Sequence, residues 1–199
     1  MKKIETIWHF LLYIALAQKV FKHTQEEIAC SFGFSLSTVY HALKIPSQIG
    51  AIRKESKFFV LADVFKLLYY WASVRNLERN IIYKTYYEAP INQLEGLIPA
   101  QSIYAGYTAA KKLLGEPPAD YDKVYFYFKE SDMDQVKLRF PPQNQTLPNI
   151  FVLELNESMR KFGPITTLPH TFVDIWNLKD WYGRDFTQKL EEKIHELLS

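Results

Sequence analysis

A short polar run between residues 37 and 44 has the composition of a surface that binds the edges of base pairs. Ser37, Thr38, Tyr40 and His41 supply hydrogen-bond donors and acceptors, and no acidic residue interrupts them. An α-helix that presents such side chains fits the major groove of DNA, where base edges offer donors and acceptors in distinct patterns. The predicted chemistry is hydrogen bonding to base pairs by these four residues.

Basic side chains accompany two β-type runs that follow this segment. Ile49-Gly50-Ala51-Ile52 and Phe58-Phe59-Val60 flank a polar, mostly basic stretch, which predicts a β-hairpin. Basic side chains on a hairpin beside a groove-binding helix can contact phosphates. The predicted phosphate ligands are Lys44, Arg53, Lys54 and Lys57.

A first short helix is predicted to precede the polar face. Thr24 and Glu27 match a capping box, in which each side chain bonds the backbone amide of the other residue. Gly33 then suits the left-handed backbone with which many helices end. Cys30, the only cysteine, is expected on the inner side of this helix as a buried thiol.

The second helix, predicted over residues 36–43, carries the polar face itself. Ser35 or Ser37 is its predicted cap. We expect Pro46 to end the helix early, because proline lacks the amide donor that a helix interior needs. The stripe expected to pack inward consists of Leu36, Val39, Ala42 and Leu43.

This region resembles the winged helix-turn-helix family of prokaryotic transcription regulators. The likeness is carried by Ser37-Thr38-Val39-Tyr40, Ala42-Leu43 and Ile49-Gly50-Ala51-Ile52. It implies a DNA-binding domain over residues 1–79 that places its second helix in the major groove of double-stranded DNA. Such proteins commonly act as dimers, so the aromatic segment 67–71 is a candidate homodimer interface.

Residues 80–199 alternate strand-like and helix-like segments, which predicts an α/β domain and an α+β fold for the whole chain. Strands are expected at 81–87, 102–105, 124–128, 137–140 and 150–155. Helices are expected at 90–97, 108–114, 171–178 and 186–198. Trp176, Trp181 and Tyr182 are expected to fill the core of this domain rather than to bind a ligand.

The order of strand, glycine turn, helix and strand between residues 102 and 128 invites comparison with nucleotidyltransferases. In such enzymes two acids one residue apart and a third acid from a later strand hold Mg²⁺. Asp120, Asp122 and Glu154 would serve here. Since Asp120 and Asp122 precede the strand proper, a Mg²⁺-dependent nucleotidyltransferase is the alternative to DNA binding, and we expect no catalytic residues and no cofactor.

The second domain also resembles that of AbiEi-type antitoxins and their archaeal relatives, which belong to type IV toxin–antitoxin systems. The likeness is carried by Ala105-Gly106-Tyr107-Thr108-Ala109-Ala110, Leu113-Leu114-Gly115, and Leu168-Pro169 with the segment 171–176. It implies a nucleotidyltransferase-like, non-catalytic domain that serves a toxin or another protein partner. It also implies an autoregulating antitoxin that binds its own promoter.

Charge is distributed unevenly between the two predicted domains. Residues 1–80 carry 11 Lys or Arg and 6 Asp or Glu, a formal charge of +5, whereas residues 81–199 carry 13 and 16, a charge of −3. This asymmetry indicates an anionic partner for the first domain only. A protein-interaction module without DNA binding is the third hypothesis.

The N-terminal residues imitate a signal peptide, because Lys2-Lys3 precedes an apolar stretch over residues 7–17. Glu5 and His9 interrupt this region, and the stretch is too short to span a bilayer. We therefore expect a cytoplasmic protein with no membrane partner. The five histidines are scattered without metal-ligand spacing, so no metal site is expected from them.

Overall fold

The structure, a computed structural model, describes residues 1–143 and 147–199. Helices and short strands are mixed throughout these residues, so the predicted α+β class is confirmed. The chain divides into two compact units, Met1–Arg75 together with Glu196–Ser199, and Asn76–His195. Among the described residues, no helix is both long enough and apolar enough to cross a bilayer.

Four helices and three short strands form the first unit. In chain order they are α1 (Lys3–Gln18), β1 (Lys22–His23), α2 (Gln25–Phe32), α3 (Leu36–Gln48), β2 (Ile52–Lys54), β3 (Phe59–Leu61) and α4 (Val64–Val74). The strands pair antiparallel in the order β1-β3-β2. Because β1 is only two residues long and pairs with a distant strand, it has no signal in the sequence pattern.

The predicted boundaries of α2 are confirmed at both ends. The Glu27 amide donates to the Thr24 hydroxyl at 3.1 Å, and the Thr24 amide donates to the Glu27 carboxylate at 2.9 Å. Gly33 ends the helix with a φ of 63°, in the left-handed region that glycine adopts without strain. Ser35, rather than Ser37, caps α3 by accepting the Thr38 amide at 3.2 Å.

The expectation that Pro46 ends the second helix is wrong, because α3 continues to Gln48 with Pro46 inside it. In a regular helix the amide of residue 46 would donate a hydrogen bond to the Ala42 carbonyl, but proline has no amide hydrogen. The indole nitrogen of Trp8 on α1 donates to that carbonyl instead, at 2.7 Å. The helix therefore keeps its path because a side chain from α1 supplies the missing hydrogen bond.

Two residues of α2 and α3 that were predicted to face the core do not do so. Cys30 is exposed, and Leu36 is 51 % exposed. The inner face of α2 consists of Ile28 and Ala29, so the next residue turns away from the core by about 100°. On α3 the buried stripe is Val39, Ala42, Leu43 and Pro46.

A buried ion pair joins α1 to the end of α4. The Arg75 guanidinium donates to a carboxylate oxygen of Glu5 at 2.6 Å, and the Trp71 indole donates to the same oxygen at 3.3 Å. Leu67, Leu68 and Trp71 are buried within this unit. Three residues of the segment that was a candidate homodimer interface therefore belong to the core of the unit.

In its described residues, the second unit contains five α-helices and a four-stranded sheet. In chain order they are β4 (Ile81–Thr85), α5 (Ile91–Leu97), β5 (Ile103–Ala105), α6 (Gly106–Leu114), β6 (Val124–Phe128), α7 (Met133–Arg139), β7 (Ile150–Glu154), α8 (Leu168–Trp176) and α9 (Gly183–Leu198), whose last residues, Glu196–Leu198, fall in the first unit. The sheet order is β4-β7-β6-β5, in which only β6 and β7 are parallel. All five residues of β6 are buried.

The predicted strand at 137–140 is wrong, because these residues form the last turn of the helix α7 and its C-terminal cap. Met133, Val136 and Phe140 are buried with helical spacing, whereas Leu138 is 84 % exposed. The core prediction holds for Tyr182 but not for the two tryptophans. Trp176 is half-exposed, and Trp181 is 81 % exposed.

Candidate nucleic-acid interface

One face of α3 is open to solvent along the length of the helix. Ser37, Tyr40, His41 and Lys44, four of the predicted ligands, are exposed. Val39, Ala42 and Leu43 are buried on the opposite face. The periodicity that separated a polar face from an apolar stripe is therefore observed, apart from the exposed Leu36.

Thr38 differs from the other predicted base contacts. Its side chain is half-buried, and its hydroxyl lies 2.9 Å from the Ser35 hydroxyl. Since its amide also donates to Ser35, Thr38 belongs to the cap that begins α3. Thr38 is accordingly less available to a ligand than Ser37 beside it.

The predicted hairpin is present as β2 and β3, with a tip of two residues, Ser56 and Lys57. The tip is closed by the Glu55 amide, which donates to the Phe58 carbonyl at 2.8 Å. Arg53, Lys54 and Lys57 are all exposed. The hairpin therefore presents three cations to solvent near the turn.

Arg53 is paired with an acid of the same hairpin. Its Nε lies 3.1 Å from Glu55 Oε1, and both side chains are exposed. A solvent-exposed pair of this kind contributes little to stability, typically about 0–1 kcal/mol. The guanidinium can therefore exchange Glu55 for another anion at small cost.

A cation–π contact connects the hairpin to the exposed face of α3. The Lys54 ammonium lies 4.7 Å from the centre of the Tyr40 ring. The Tyr40 ring in turn lies 5.7 Å from the His41 ring in an edge-on arrangement. Such contacts are attractive because the face of an aromatic ring carries negative potential. The contact brings together two predicted ligands from different elements, one a phosphate contact and the other a base contact.

A cavity of about 360 Å³ lies between the hairpin and the beginning of α2. Lys54 and Lys57 line it together with Glu26 and Glu55. Lys22 on β1 places its ammonium 4.0 Å from the Phe58 ring, at the edge of the same hairpin. Because the lining carries both signs of charge, this cavity is less suited to a phosphate than the open face formed by α3 and the outer side of the hairpin.

His23 lies in the sheet behind this interface. Its ring is 5.8 Å from the Phe59 ring, and it is buried. Burial lowers the pKa of His23 below its ordinary value, because the charged imidazolium loses water, while the Val20 backbone and Glu27 oppose this effect. The strand that supports the hairpin therefore favours a neutral histidine.

The three acids of the nucleotidyltransferase alternative are not brought together. β6 and β7 run parallel, with Val124 opposite Ile150 and Phe128 opposite Glu154. Asp122 precedes the start of β6, whereas Glu154 lies at the far end of β7, so at least four residues of strand, about 13 Å, separate their positions. No group of three or more His, Cys, Asp or Glu side chains in residues 1–143 and 147–199 is arranged to hold a metal ion.

Asp122 has a different partner in the second unit. Its carboxylate accepts the Tyr182 hydroxyl at 2.6 Å. Nearby, Tyr107 donates to Asp180 at 3.0 Å, and Lys123 forms an ion pair with the same carboxylate. Burial and these carboxylates raise the pKa values of Tyr107 and Tyr182, which keeps both hydroxyls protonated as donors. The arrangement is a hydrogen-bonded network of tyrosines and carboxylates.

Gly106, the glycine of the predicted turn, is explained by packing. It has a φ of 54°, and a Cβ at this position would lie 3.1 Å from the Tyr125 side chain. A side chain at this position would be strained by the positive φ and would push Tyr125 away, so glycine suits the close approach of β6 to the first turn of α6. The glycine of this strand-turn-helix segment is therefore explained by its contact with Tyr125.

Comparison with protein-family models, with curated proteins and with solved structures yields no match.

Proposed function

We propose that the first unit is a winged helix-turn-helix domain that binds double-stranded DNA in a sequence-specific manner. In this proposal α3 enters the major groove, where Ser37, Tyr40 and His41 face base edges. The phosphate contacts come from Lys44, Arg53, Lys54 and Lys57. The net charge of +5 on residues 1–80 favours an anionic partner for this half of the chain.

The order of the elements supports this proposal. A helix pair followed by a two-stranded hairpin is the arrangement that the family resemblance implies, and α2, α3, β2 and β3 follow one another in that order. The three-stranded sheet ties the hairpin to β1, so the hairpin has a fixed base. A groove-binding helix of 13 residues is about 20 Å long, which leaves room for several base contacts.

The single observation that carries the proposal is the contact between Lys54 and Tyr40. With the ammonium 4.7 Å from the ring centre, the hairpin cation and the exposed helix face lie on the same side of the unit. A phosphate beside a major groove lies next to the base edges that the groove exposes. A cation held next to a side chain that contacts bases can therefore bind a phosphate at the same time. A polar helix face without a neighbouring cation would not favour DNA in this way.

The biological role that follows is a transcription regulator. By its resemblance to AbiEi-type antitoxins, we propose that the protein represses its own operon, with the second unit available to a toxin or another protein partner. Because Asp120, Asp122 and Glu154 do not converge, no observation favours the nucleotidyltransferase alternative.

The test is charge reversal on the hairpin. Arg53→Glu, Lys54→Glu and Lys57→Glu combined should weaken binding to all duplexes and make the plot of log affinity against log salt shallower by about three, since each phosphate contact contributes about 0.9 to the slope. A matched variant reverses Lys129, Lys137 and Lys179, which are exposed cations of the second unit. Equal effects of the two variants, or no binding by the wild type to its own upstream DNA, would overturn the proposal.

A further inference from the structure

We infer that α3 recognises thymine through its C5-methyl group, with Leu36 as the contacting side chain. This inference rests on the proposed function, because it specifies the DNA sequence that the same interface selects. Leu36 is the first residue of α3 and is 51 % exposed. An exposed leucine at the start of a groove-binding helix is placed where such helices meet base edges.

Leu36 does not stand alone on this face. Tyr40 is one turn further along the same face of the helix and is 48 % exposed. The two side chains form an apolar strip next to the hydroxyl of Ser37 and the ring of His41. In the major groove, thymine is the ordinary base that presents a methyl group, and apolar side chains read it by direct contact.

The composition of the exposed face argues against guanine as the principal target. Guanine is most often read by Arg or Lys, which bond its O6 and N7 atoms, and adenine by Asn or Gln. The first two turns of α3 contain none of these residue types. Lys44 comes eight residues after Leu36, about 12 Å further along the helix axis, and Gln48 ends the helix.

The experiment compares thymine with uracil, which differs only by the methyl group. A random-sequence duplex pool is selected on the full-length protein, and the best-bound duplex is resynthesised with uracil replacing each thymine in turn. At the positions that Leu36 contacts, wild-type affinity should fall about fourfold per methyl group removed. In Leu36→Ala the thymine and uracil duplexes should bind equally well at those positions.

A matched variant controls for the loss of any exposed leucine. Leu138→Ala removes a side chain that is 84 % exposed on α7 of the second unit, and it should discriminate uracil from thymine as the wild type does. A further duplex carries uracil together with 5-methylcytosine in place of cytosine, which separates the two natural sources of a C5-methyl group.

Each outcome decides the matter. Equal affinity of the wild type for thymine and uracil duplexes overturns the inference and leaves the proposed function intact. Discrimination that persists in Leu36→Ala overturns the assignment to Leu36. Tighter binding to the 5-methylcytosine duplex than to the thymine duplex overturns the choice of thymine. Failure to bind any duplex overturns the proposed function itself.

Discussion

The indole Nε1–H of Trp8 donates to the carbonyl of Ala42 at 2.7 Å, and this carbonyl is the one that Pro46 leaves without its helical donor. Both residues are buried. A buried carbonyl without a partner costs about 1–3 kcal/mol. The hydrogen bond therefore fixes α1 against α3, and it sets the path of the helix whose outer face we propose to bind DNA.

A double-mutant cycle tests this relationship. Trp8→Phe should lower the free energy of unfolding by about 2–4 kcal/mol, since it removes the donor and part of a buried ring. In a Pro46→Ala background the new amide can bond the Ala42 carbonyl, so the same substitution should cost about 1 kcal/mol less. Urea unfolding of the four proteins gives the coupling. Strict additivity would show that the indole does not replace the missing amide.

Local features of this fold could be predicted from the sequence, and features that depend on distant residues could not. The cap formed by Thr24 and Glu27 and the end of α2 at Gly33 involve neighbours within one turn, and both were predicted. Pro46 was misjudged because its compensating donor lies 34 residues before the carbonyl it serves. β1 was missed because its pairing with β3 is the only reason that its two residues are a strand.

In the candidate site, too, local features could be predicted from the sequence and contacts between distant residues could not. The exposure of Ser37, Tyr40, His41 and Lys44 followed from helical periodicity. The contact of Lys54 with Tyr40 depends on the register and twist of the hairpin, which no spacing in the sequence specifies. The separation of Asp122 from Glu154 likewise required the parallel pairing of β6 with β7.

The buried pair of Glu5 and Arg75 predicts a large effect from a small substitution. Glu5→Gln removes the carboxylate of a buried ion pair and keeps the size of the side chain, so the free energy of unfolding should fall by about 3–5 kcal/mol. Glu157→Gln is the matched control, because Glu157 forms an exposed pair with Arg160 at 3.0 Å. That control should change the free energy by less than about 1 kcal/mol. Similar losses in the two variants, measured by urea unfolding, would contradict this account.

The environment of His23 predicts how stability depends on pH. Burial lowers its pKa in the folded state, so the unfolded chain takes up a proton at a higher pH than the folded protein does. Stability should therefore be greatest above the ordinary histidine pKa of about 6.5 and should decrease as the pH falls below it.

His23→Phe should reduce this dependence, because phenylalanine occupies the apolar site without binding a proton. His195→Phe changes an exposed histidine and should leave the decrease as it is in the wild type. The free energy of unfolding of the three proteins, measured in urea between pH 5 and pH 8, checks the expectation. An unchanged slope in His23→Phe would assign the dependence to other groups.

The contact of Lys54 with Tyr40 should appear as an energetic coupling in DNA binding. Lys54→Met removes the charge and keeps the length of the side chain, whereas Tyr40→Leu removes the ring. Each should weaken binding to a random-sequence duplex, and the double variant should lose about 0.5–1 kcal/mol less than the sum, because the ring holds the cation in place. Lys112 lies at the same distance, 4.7 Å, from the Tyr104 ring in the second unit. Lys112→Met and Tyr104→Leu should leave affinity unchanged, and a comparable coupling there would show that the effect is not specific to the proposed interface.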